Sequence, residues 1–399
     1  MLAPGVARGA WAGLCACLIG IGLARFAYTP LIPVLIGAGW FAPGEAAYLG
    51  AANLAGYLVG ALLAAPIARR VPAARVLRFM MVLVGIAFLA CAIRLPFAWF
   101  FAWRFAAGLA GGTLMALAAP TVMAITPGPL RGRIGGIMFS GVGIGVVVAG
   151  TLLPLLIRAR VEAAWIALGM VTLALAASSW NGWPAAPLSL DTPTARPSGG
   201  AWALILQYGL CSVGLVPHMV FLVDFVARGL GRGVDLGAVF FLVYGAGALV
   251  GPLAAGFVSD RIGFRRALHW ALPVQAIAVA LPLLSTHGAV LALSSFIVGA
   301  FTPGIVSVVM GRAQEIAGGD PLRHRAIWGA ATASFGAFQA IAAYRMAFMF
   351  ARSDGAYATL FTAGSAALIL ACLLDVWPMG GKADRFAAPS STRRPSASA

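Results

Sequence analysis

The sequence predicts an all-α integral membrane protein with twelve transmembrane helices, arranged as two six-helix pseudo-repeats around a central cavity. Three observations predict this class. Of the 399 residues, 61% are hydrophobic and 10% are charged, whereas a soluble domain has about 25% charged residues. Apolar runs long enough to cross a bilayer as helices recur along the chain. Segments that lie 191 residues apart also resemble each other.

The predicted spans are separated by short breaks that carry arginine, proline or glycine. They cover residues 11–36, 46–68, 76–94, 97–124, 133–157, 163–180, 201–224, 236–258, 267–285, 288–310, 325–350 and 355–377. The polar, proline-rich stretch 181–200 predicts a cytoplasmic linker between a first bundle at 1–180 and a second at 201–378. The polar segment 379–399 predicts a disordered cytoplasmic tail.

The distribution of basic residues predicts the orientation of the chain. With the first residue in the cytoplasm, 18 of the 27 basic residues lie on the cytoplasmic side and 6 on the outer side. The other three, Arg25, Arg104 and Arg345, fall within spans. We therefore expect a multi-pass protein of the plasma (inner) membrane with both termini in the cytoplasm. Since the arginines are scattered between apolar runs, a nucleic-acid patch is disfavoured.

An internal repeat relates the two halves. Gly56–Gly60 (GYLVG) in the second span corresponds to Gly247–Gly251 (GALVG) in the eighth, at an offset of 191. Residues 104–108 of the fourth span correspond to 295–299 of the tenth at the same offset. Because one offset relates two separate pairs of spans, the halves are predicted to be parallel repeats.

The loop after the eighth span carries a recognisable pattern. Residues 256–266 read GFVSDRIGFRR, in which glycine permits a tight turn and the aspartate can accept from a helix N-terminus or an arginine. Together with the six-plus-six repeat, this pattern resembles the G-x-x-x-D-R-x-G-x-R-R signature of the major facilitator superfamily. The resemblance implies a cytoplasmic gate loop formed by Gly256, Asp260, Arg261, Gly263, Arg265 and Arg266. The first-half copy departs from it, with Arg69 at the aspartate position and Pro72 at the glycine position.

More narrowly, residues 22–33 (GLARFAYTPLIP) and 48–57 (YLGAANLAGY) resemble the YbfB/YjiJ branch of that superfamily. The Arg104-x-x-x-Gly108-x-x-x-Gly112 pattern is similar to the fourth-helix motif in which the arginine faces the cavity. The fifth span has several glycines but no Gly-Pro pair. It therefore lacks the motif typical of drug/proton antiporters, which argues against drug efflux.

Arg25 is the main candidate for substrate binding because it lies mid-span in a run without acidic residues. An arginine at that depth is costly and is by default functional, here as an anchor for an anion; the alternative is a structural arginine bonded to the carbonyls of a broken helix. Arg104 can face the cavity or reach outward to the interface. The other candidate substrate-binding residues are Tyr28, Asn53, Tyr57, Tyr244 and Gln339. For each of these, hydrogen bonding between helices is the alternative.

The candidates for proton coupling are His218 and Asp224. Histidine has a suitable intrinsic pKa for this role, but a single membrane histidine can equally serve as a hydrogen bonder between helices. Asp224 lies near the predicted outer boundary, where it can simply balance Arg228.

These observations predict a secondary active transporter that moves a small anionic solute by alternating access, with proton coupling. The alternative is a multidrug or other small-molecule efflux antiporter. An enzyme is disfavoured because the spans hold no catalytic acid pair or metal cluster, and no G-x-x-x-x-G-K loop supports ATP-driven transport. We expect no cofactor, no metal and no nucleic acid. The expected partners are the small-molecule substrate, the lipid bilayer and protons, with the chain acting as a monomer.

Overall fold

A computed structural model describes residues 3–127, 130–157, 160–184, 199–318, 320–352 and 356–376. Twelve helices in these ranges are long and apolar enough to cross a membrane, which confirms the predicted fold class. They are α1 (Pro4–Gly37), α2 (Pro43–Ala68), α3 (Ala73–Cys91), α4 (Phe97–Met123), α5 (Arg131–Ile157), α6 (Val161–Ser178), α7 (Gly200–Gly229), α8 (Val234–Ile262), α9 (Phe264–Leu284), α10 (Gly288–Ala317), α11 (Pro321–Arg352) and α12 (Tyr357–Val376). The predicted linker lies mostly, and the predicted tail wholly, outside the described residues.

Successive helices run in opposite directions, so the bundle has two ends. We call the end that holds Pro4 the near end and the end that holds Gly37 the far end. The second half starts with α7 at the near end, after six helices, and repeats the directions of the first half. By the predicted orientation, the near end faces the cytoplasm.

The repeat is visible in how the helices cross. In the first half, Gly56 and Gly60 of α2 lie directly against the backbone carbonyls of Phe105 and Leu109 of α4. In the second half, Gly247 and Gly251 of α8 lie against the carbonyls of Phe296 and Ala300 of α10. Every partner in the second crossing lies 191 positions after its counterpart in the first. The repeated glycines are required because a Cβ at these positions would overlap the neighbouring backbone.

Helix α1 is broken in its middle. A π-helical segment, Leu18–Leu23, follows Pro4–Cys17, and a turn over residues 24–27 leads into the α-helical segment Tyr28–Gly37. Pro30 has no N–H to bond the carbonyl four residues earlier, and that carbonyl, of Phe26, accepts from the Thr29 N–H at 3.2 Å instead. Arg25 therefore lies in the turn that joins the two parts of the broken helix.

The two halves make their most extensive contacts along two helix pairs, and one of these is α5 with α8. A Cβ built at Gly150 would lie 3.1 Å from the backbone nitrogen of Leu242, and one at Gly143 would lie 2.6 Å from Cδ2 of Leu249. Seven residues further toward the near end, on the same helix faces, lie Gly136 and Gly256. A Cβ at either of these positions would meet nothing within 4 Å.

Helices α2 and α11 follow the same pattern. Gly44 lies against Ala351 at the far end, and a Cβ at Gly336 in the middle would lie 3.2 Å from Leu58. Gly329, two turns nearer the near end on the same face of α11, has open space beside it. Both helix pairs are therefore in contact from the far end to the middle and apart at the near end.

Candidate functional site

The candidate site lies between the two halves, where the broken part of α1 faces α2, α7, α8 and α11. Arg25 of α1 donates from Nη2 to Oε1 of Gln339 on α11, so this contact bridges the halves. Its guanidinium carbon lies 5.2 Å from the ring centre of Tyr57 and 6.0 Å from that of Phe26. Arg25 is half-buried, and its Nε is buried without a hydrogen-bond partner.

The charge of Arg25 is not balanced by a nearby carboxylate. Ion pairs among the described residues, such as Arg228 with Asp224, His269 with Asp375 and Arg312 with Glu315, lie elsewhere. The titratable groups nearest to Arg25 are instead the neutral phenols of Tyr57, Tyr244 and Tyr208. A guanidinium in an apolar setting with a donor to spare can bind an anion strongly, because few competing water molecules screen the charge.

Gln339 and Tyr244 surround this arginine from the second half. The Gln339 side chain is 1% exposed, and its Nε2 lies 3.6 Å from the sulfur of Met219 on α7. The Tyr244 hydroxyl is paired with Thr302 Oγ1 at 2.5 Å. The ring of Tyr244 lies 5.9 Å from that of Phe26, so it packs across the interface onto the residue next to Arg25.

Arg104 occupies a different, enclosed position. It is 2% exposed and donates from Nη1 to the carbonyl of Ala24 at 2.8 Å. Its guanidinium carbon lies 4.4 Å above the ring of Tyr28, whose hydroxyl donates to the carbonyl of Ala46 at 2.8 Å. Asn53 donates to the carbonyl of Arg104 at 3.2 Å. These bonds fit the alternative of hydrogen bonding between helices that was weighed for Tyr28 and Asn53. Arg104 is enclosed between α1, α2 and α4, where it bonds a carbonyl of the broken helix instead of reaching outward to the interface.

His218 lies inside the second half. Its Nε2 is 2.8 Å from Ser294 Oγ, and Ser294 in turn donates to the carbonyl of Ala278 at 2.7 Å. Ser294 must therefore accept from His218, which puts the proton on Nε2; Nδ1 is buried without a partner. The ring packs edge-on against Phe361 of α12 at 5.3 Å. His218 thus connects α7 to α9, α10 and α12, and these contacts fit the role of a hydrogen bonder between helices.

Asp224 lies at the far end of α7, fully buried. Both of its carboxylate oxygens accept from Arg228, at 2.5 and 2.6 Å, and the Tyr357 hydroxyl donates to it at 2.7 Å. Arg228 and Tyr357 line a cavity of about 690 Å³ at the far end, together with Glu45 of α2 and Phe350 of α11. The acid therefore sits directly behind the wall of a far-end cavity between the halves.

The predicted gate loop forms the tight connection between α8 and α9. Gly263 has a φ of +83°, the left-handed conformation that glycine adopts readily, and Arg261 stacks on Phe257. In this state Asp260 does not accept from the N-terminus of α9. Its side chain is exposed, and Glu315 of α10 accepts from the Phe264 N–H at 3.0 Å instead. Gly256, Arg265 and Arg266 lie at the near end, with both arginines exposed.

The structure also brings in residues that sequence reasoning missed. Tyr208 of α7 is an electrostatic neighbour of Arg25 and stacks with Phe335 and Trp328 of α11, at 4.5 and 6.1 Å. Met219 lies at the position related to Tyr28 by the 191-residue offset and contacts Gln339. Aromatic residues and methionines are common in lipid-facing helices, so only the interface geometry distinguishes these side chains.

Twelve helices in two related halves, with an unpaired arginine where the halves meet, define a membrane transporter rather than an enzyme. The chain belongs to the family described as "Uncharacterised MFS-type transporter YbfB", whose model matches residues 17–376. This match confirms the resemblance to the major facilitator superfamily and to its YbfB-type branch.

Relatives and solved structures agree with this assignment. A chloramphenicol resistance protein of Streptomyces lividans is 26% identical over 284 residues, which are 68% of this chain and 69% of the relative. A D-xylose-proton symporter is similar in structure, with a TM-score of 0.71 and 16% identity over 93% of this chain and 96% of that one. A bacterial homologue of the human lysosomal transporter Spinster, inward-facing and occupied, has a TM-score of 0.69 and 15% identity over 93% of this chain and 95% of that one. At these identities the two structures show the fold alone.

Proposed function

We propose that this chain is a secondary active transporter that moves a small organic anion across the membrane by alternating access, with Arg25 as the anion anchor. The observation that carries the proposal is the guanidinium of Arg25 between the two halves. It lacks a carboxylate partner among the described residues and keeps a buried, unpartnered Nε. A bound carboxylate or phosphate would supply the missing charge and acceptor.

The position of Arg25 couples binding to the rocking of the halves. Because Arg25 belongs to α1 and its partner Gln339 to α11, an anion that binds the guanidinium competes for a contact that joins the halves. Binding therefore affects the stability of the present state relative to the state that opens at the other end. Such a difference in affinity between states is what a transport cycle requires.

We propose coupling to protons at Asp224 rather than His218. Asp224 stands behind the far-end cavity and is held by Arg228 and Tyr357, which line that cavity. His218 has its contacts within the second half. Protonation of Asp224 would weaken its bond to Arg228 and so alter the cavity wall between the halves.

The principal experiment measures uptake of organic anions into proteoliposomes by the wild type and by Arg25→Gln. Losing a charge-assisted hydrogen bond of about 1.5–3 kcal/mol lowers anion binding by about 10- to 100-fold. We expect the initial rate at subsaturating substrate to fall by that factor. Arg345→Gln is the matched control, because Arg345 is also an arginine within a span but is exposed on the outer surface of α11. Anion uptake that is equal in Arg25→Gln and wild type would overturn the proposal.

Efflux of a neutral drug is the second candidate, because a curated relative is a chloramphenicol resistance protein. It predicts a different dependence on Arg25. Cells that express the chain should then tolerate more chloramphenicol, and Arg25→Gln should retain most of that tolerance. Tolerance that Arg25→Gln retains, together with no transport of any anion, would favour this candidate over the anion carrier.

A further inference from the structure

We infer that the anion carried by this protein is a monoanion with a flat apolar body, of the class of aromatic or cyclic carboxylates, rather than a polyol, a hydroxy acid or a dianion. This inference rests on the proposed function and specifies the substrate class of the same site. Three features of the site carry it: one accessible positive charge, hydrogen-bonding side chains that are already occupied, and aromatic surroundings with one partly exposed ring.

The first feature concerns charge. Arg25 is half-buried, so part of its side chain is open to a ligand, and its buried Nε lacks a partner. Arg104, the other arginine of this region, is 2% exposed and held by the Ala24 carbonyl and the Tyr28 ring, so a ligand cannot reach it without rearrangement. One accessible guanidinium compensates one negative charge. A second carboxylate would have to enter an apolar site unpaired, which is strongly unfavourable.

The second feature concerns hydrogen bonding. Recognition of hydroxyl-rich solutes needs amide and hydroxyl groups that can turn toward the ligand. Here the Gln339 amide is engaged on both sides, by Arg25 and by Met219. The Tyr244 hydroxyl is engaged with Thr302, and the Asn53 amide with the Arg104 carbonyl. A polyol would have to displace several of these bonds, whereas a carboxylate competes only for the contact between Arg25 and Gln339.

The third feature is the aromatic surroundings of Arg25. The ring centre of Tyr57 lies 5.2 Å from the guanidinium carbon, and the ring of Phe26 lies 5.9 Å from that of Tyr244. Tyr208 packs against Phe335 at 4.5 Å. The first four of these residues are at most 8% exposed, whereas Phe335, one turn from Gln339 toward the open near end, is partly exposed. A flat apolar group next to a carboxylate bound at Arg25 would therefore pack against Phe335 first.

The test measures binding of four probes to the purified full-length protein in detergent by thermal stabilisation and by competition. Benzoate is the aromatic monoanion, acetate has the charge without the body, benzamide has the body without the charge, and phthalate adds a second charge. Burying a phenyl ring rather than a methyl group corresponds to about 30-fold in affinity. We expect benzoate to bind about 30-fold more tightly than acetate, and benzamide and phthalate to bind at least about 10-fold more weakly than benzoate.

Single-residue variants show which side chain causes the preference for the charge and which causes the preference for the ring. Arg25→Gln should remove the preference for benzoate over benzamide. Phe335→Leu should reduce the preference for benzoate over acetate by several-fold, whereas Phe79→Leu should leave it unchanged, since Phe79 is 61% exposed on the surface of α3. If Phe335→Leu unfolds the protein, Phe335→Tyr, which keeps the ring, serves as the second variant and should preserve the preference.

The outcomes separate this inference from the proposed function. If acetate or phthalate binds as tightly as benzoate and depends equally on Arg25, the substrate class is wrong while the anion carrier stands. If benzamide binds as tightly as benzoate, or if Arg25→Gln leaves every affinity unchanged, then both the substrate class and the anion anchor are wrong.

Discussion

Arg25 and Arg104 are arginines of the same half, and their different surroundings decide their roles. Arg104 is enclosed and bonded to a backbone carbonyl exposed by the break in α1. Removing it would leave that carbonyl without a partner, so its contribution is structural. Arg25 has its contact across the interface and retains an unpartnered nitrogen. The sequence shows both as charges within apolar runs, and only the contacts tell them apart.

Asp224 is the residue at which proton coupling can be tested. Asp224→Asn keeps the shape of the side chain but cannot exchange a proton, and it leaves Arg228, which is 30% exposed, accessible to water. We expect uptake of anion driven by a proton gradient to be lost, while exchange of labelled for unlabelled anion at equal concentrations persists. Asp375→Asn is the control, since Asp375 pairs with His269 at the near end. Normal proton-driven accumulation by Asp224→Asn would exclude Asp224 as the coupling group.

At the scale of the elements, the packing of α5 against α8 indicates which end of the interface between the halves can move. Gly150 and Gly143 contact Leu242 and Leu249, so these parts of the two helices are closely packed. The next positions toward the near end, Gly136 and Gly256, continue the same seven-residue spacing but meet nothing. We propose that they come together when the near end closes, because glycines allow the same close approach there.

A bulky residue at Gly136 should therefore block closure of the near end. Gly136→Leu meets nothing within 4 Å of its Cβ in the present state, so we expect a melting temperature within a few degrees of wild type. Ligand binding should be retained, whereas transport should fall by at least about tenfold. Gly37→Leu is the matched control, because Gly37 also has open space but lies at the far end of α1. Wild-type transport rates in Gly136→Leu would show that this face does not close.

Across the whole molecule, the periodicity and spacing of the sequence predict the architecture more completely than they predict the roles of individual side chains. Twelve spans, the two-half repeat and the break near Arg25 are predictable because length, hydropathy and proline placement act locally. The pairing of Arg25 with Gln339 is not, since the two residues are separated by 314 positions and meet only where the halves close. The same applies to Glu315, which takes the helix-capping role expected of Asp260 from a different helix. The contacts of repeated glycines with a backbone within one half are predictable from the sequence. The contacts that side chains make with the other half are not.

Opening at the far end and the orientation of the chain can be tested together. Gly44 and Ala351 lie in direct contact across the halves at that end, with a built Cβ at Gly44 2.6 Å from the Cβ of Ala351. A separation of about 1 Å would bring two cysteines there into the usual range for a disulfide.

In a background without the five native cysteines, which are free, Gly44→Cys/Ala351→Cys should stop transport on oxidation, because alternating access requires these helices to part. The distribution of arginines predicts that this end faces outside, and on that prediction a membrane-impermeant reductant added to whole cells should restore transport. The single variant Gly44→Cys should be insensitive to oxidation. Full transport by the oxidised pair would contradict opening at the far end, and restoration only after permeabilisation would reverse the orientation.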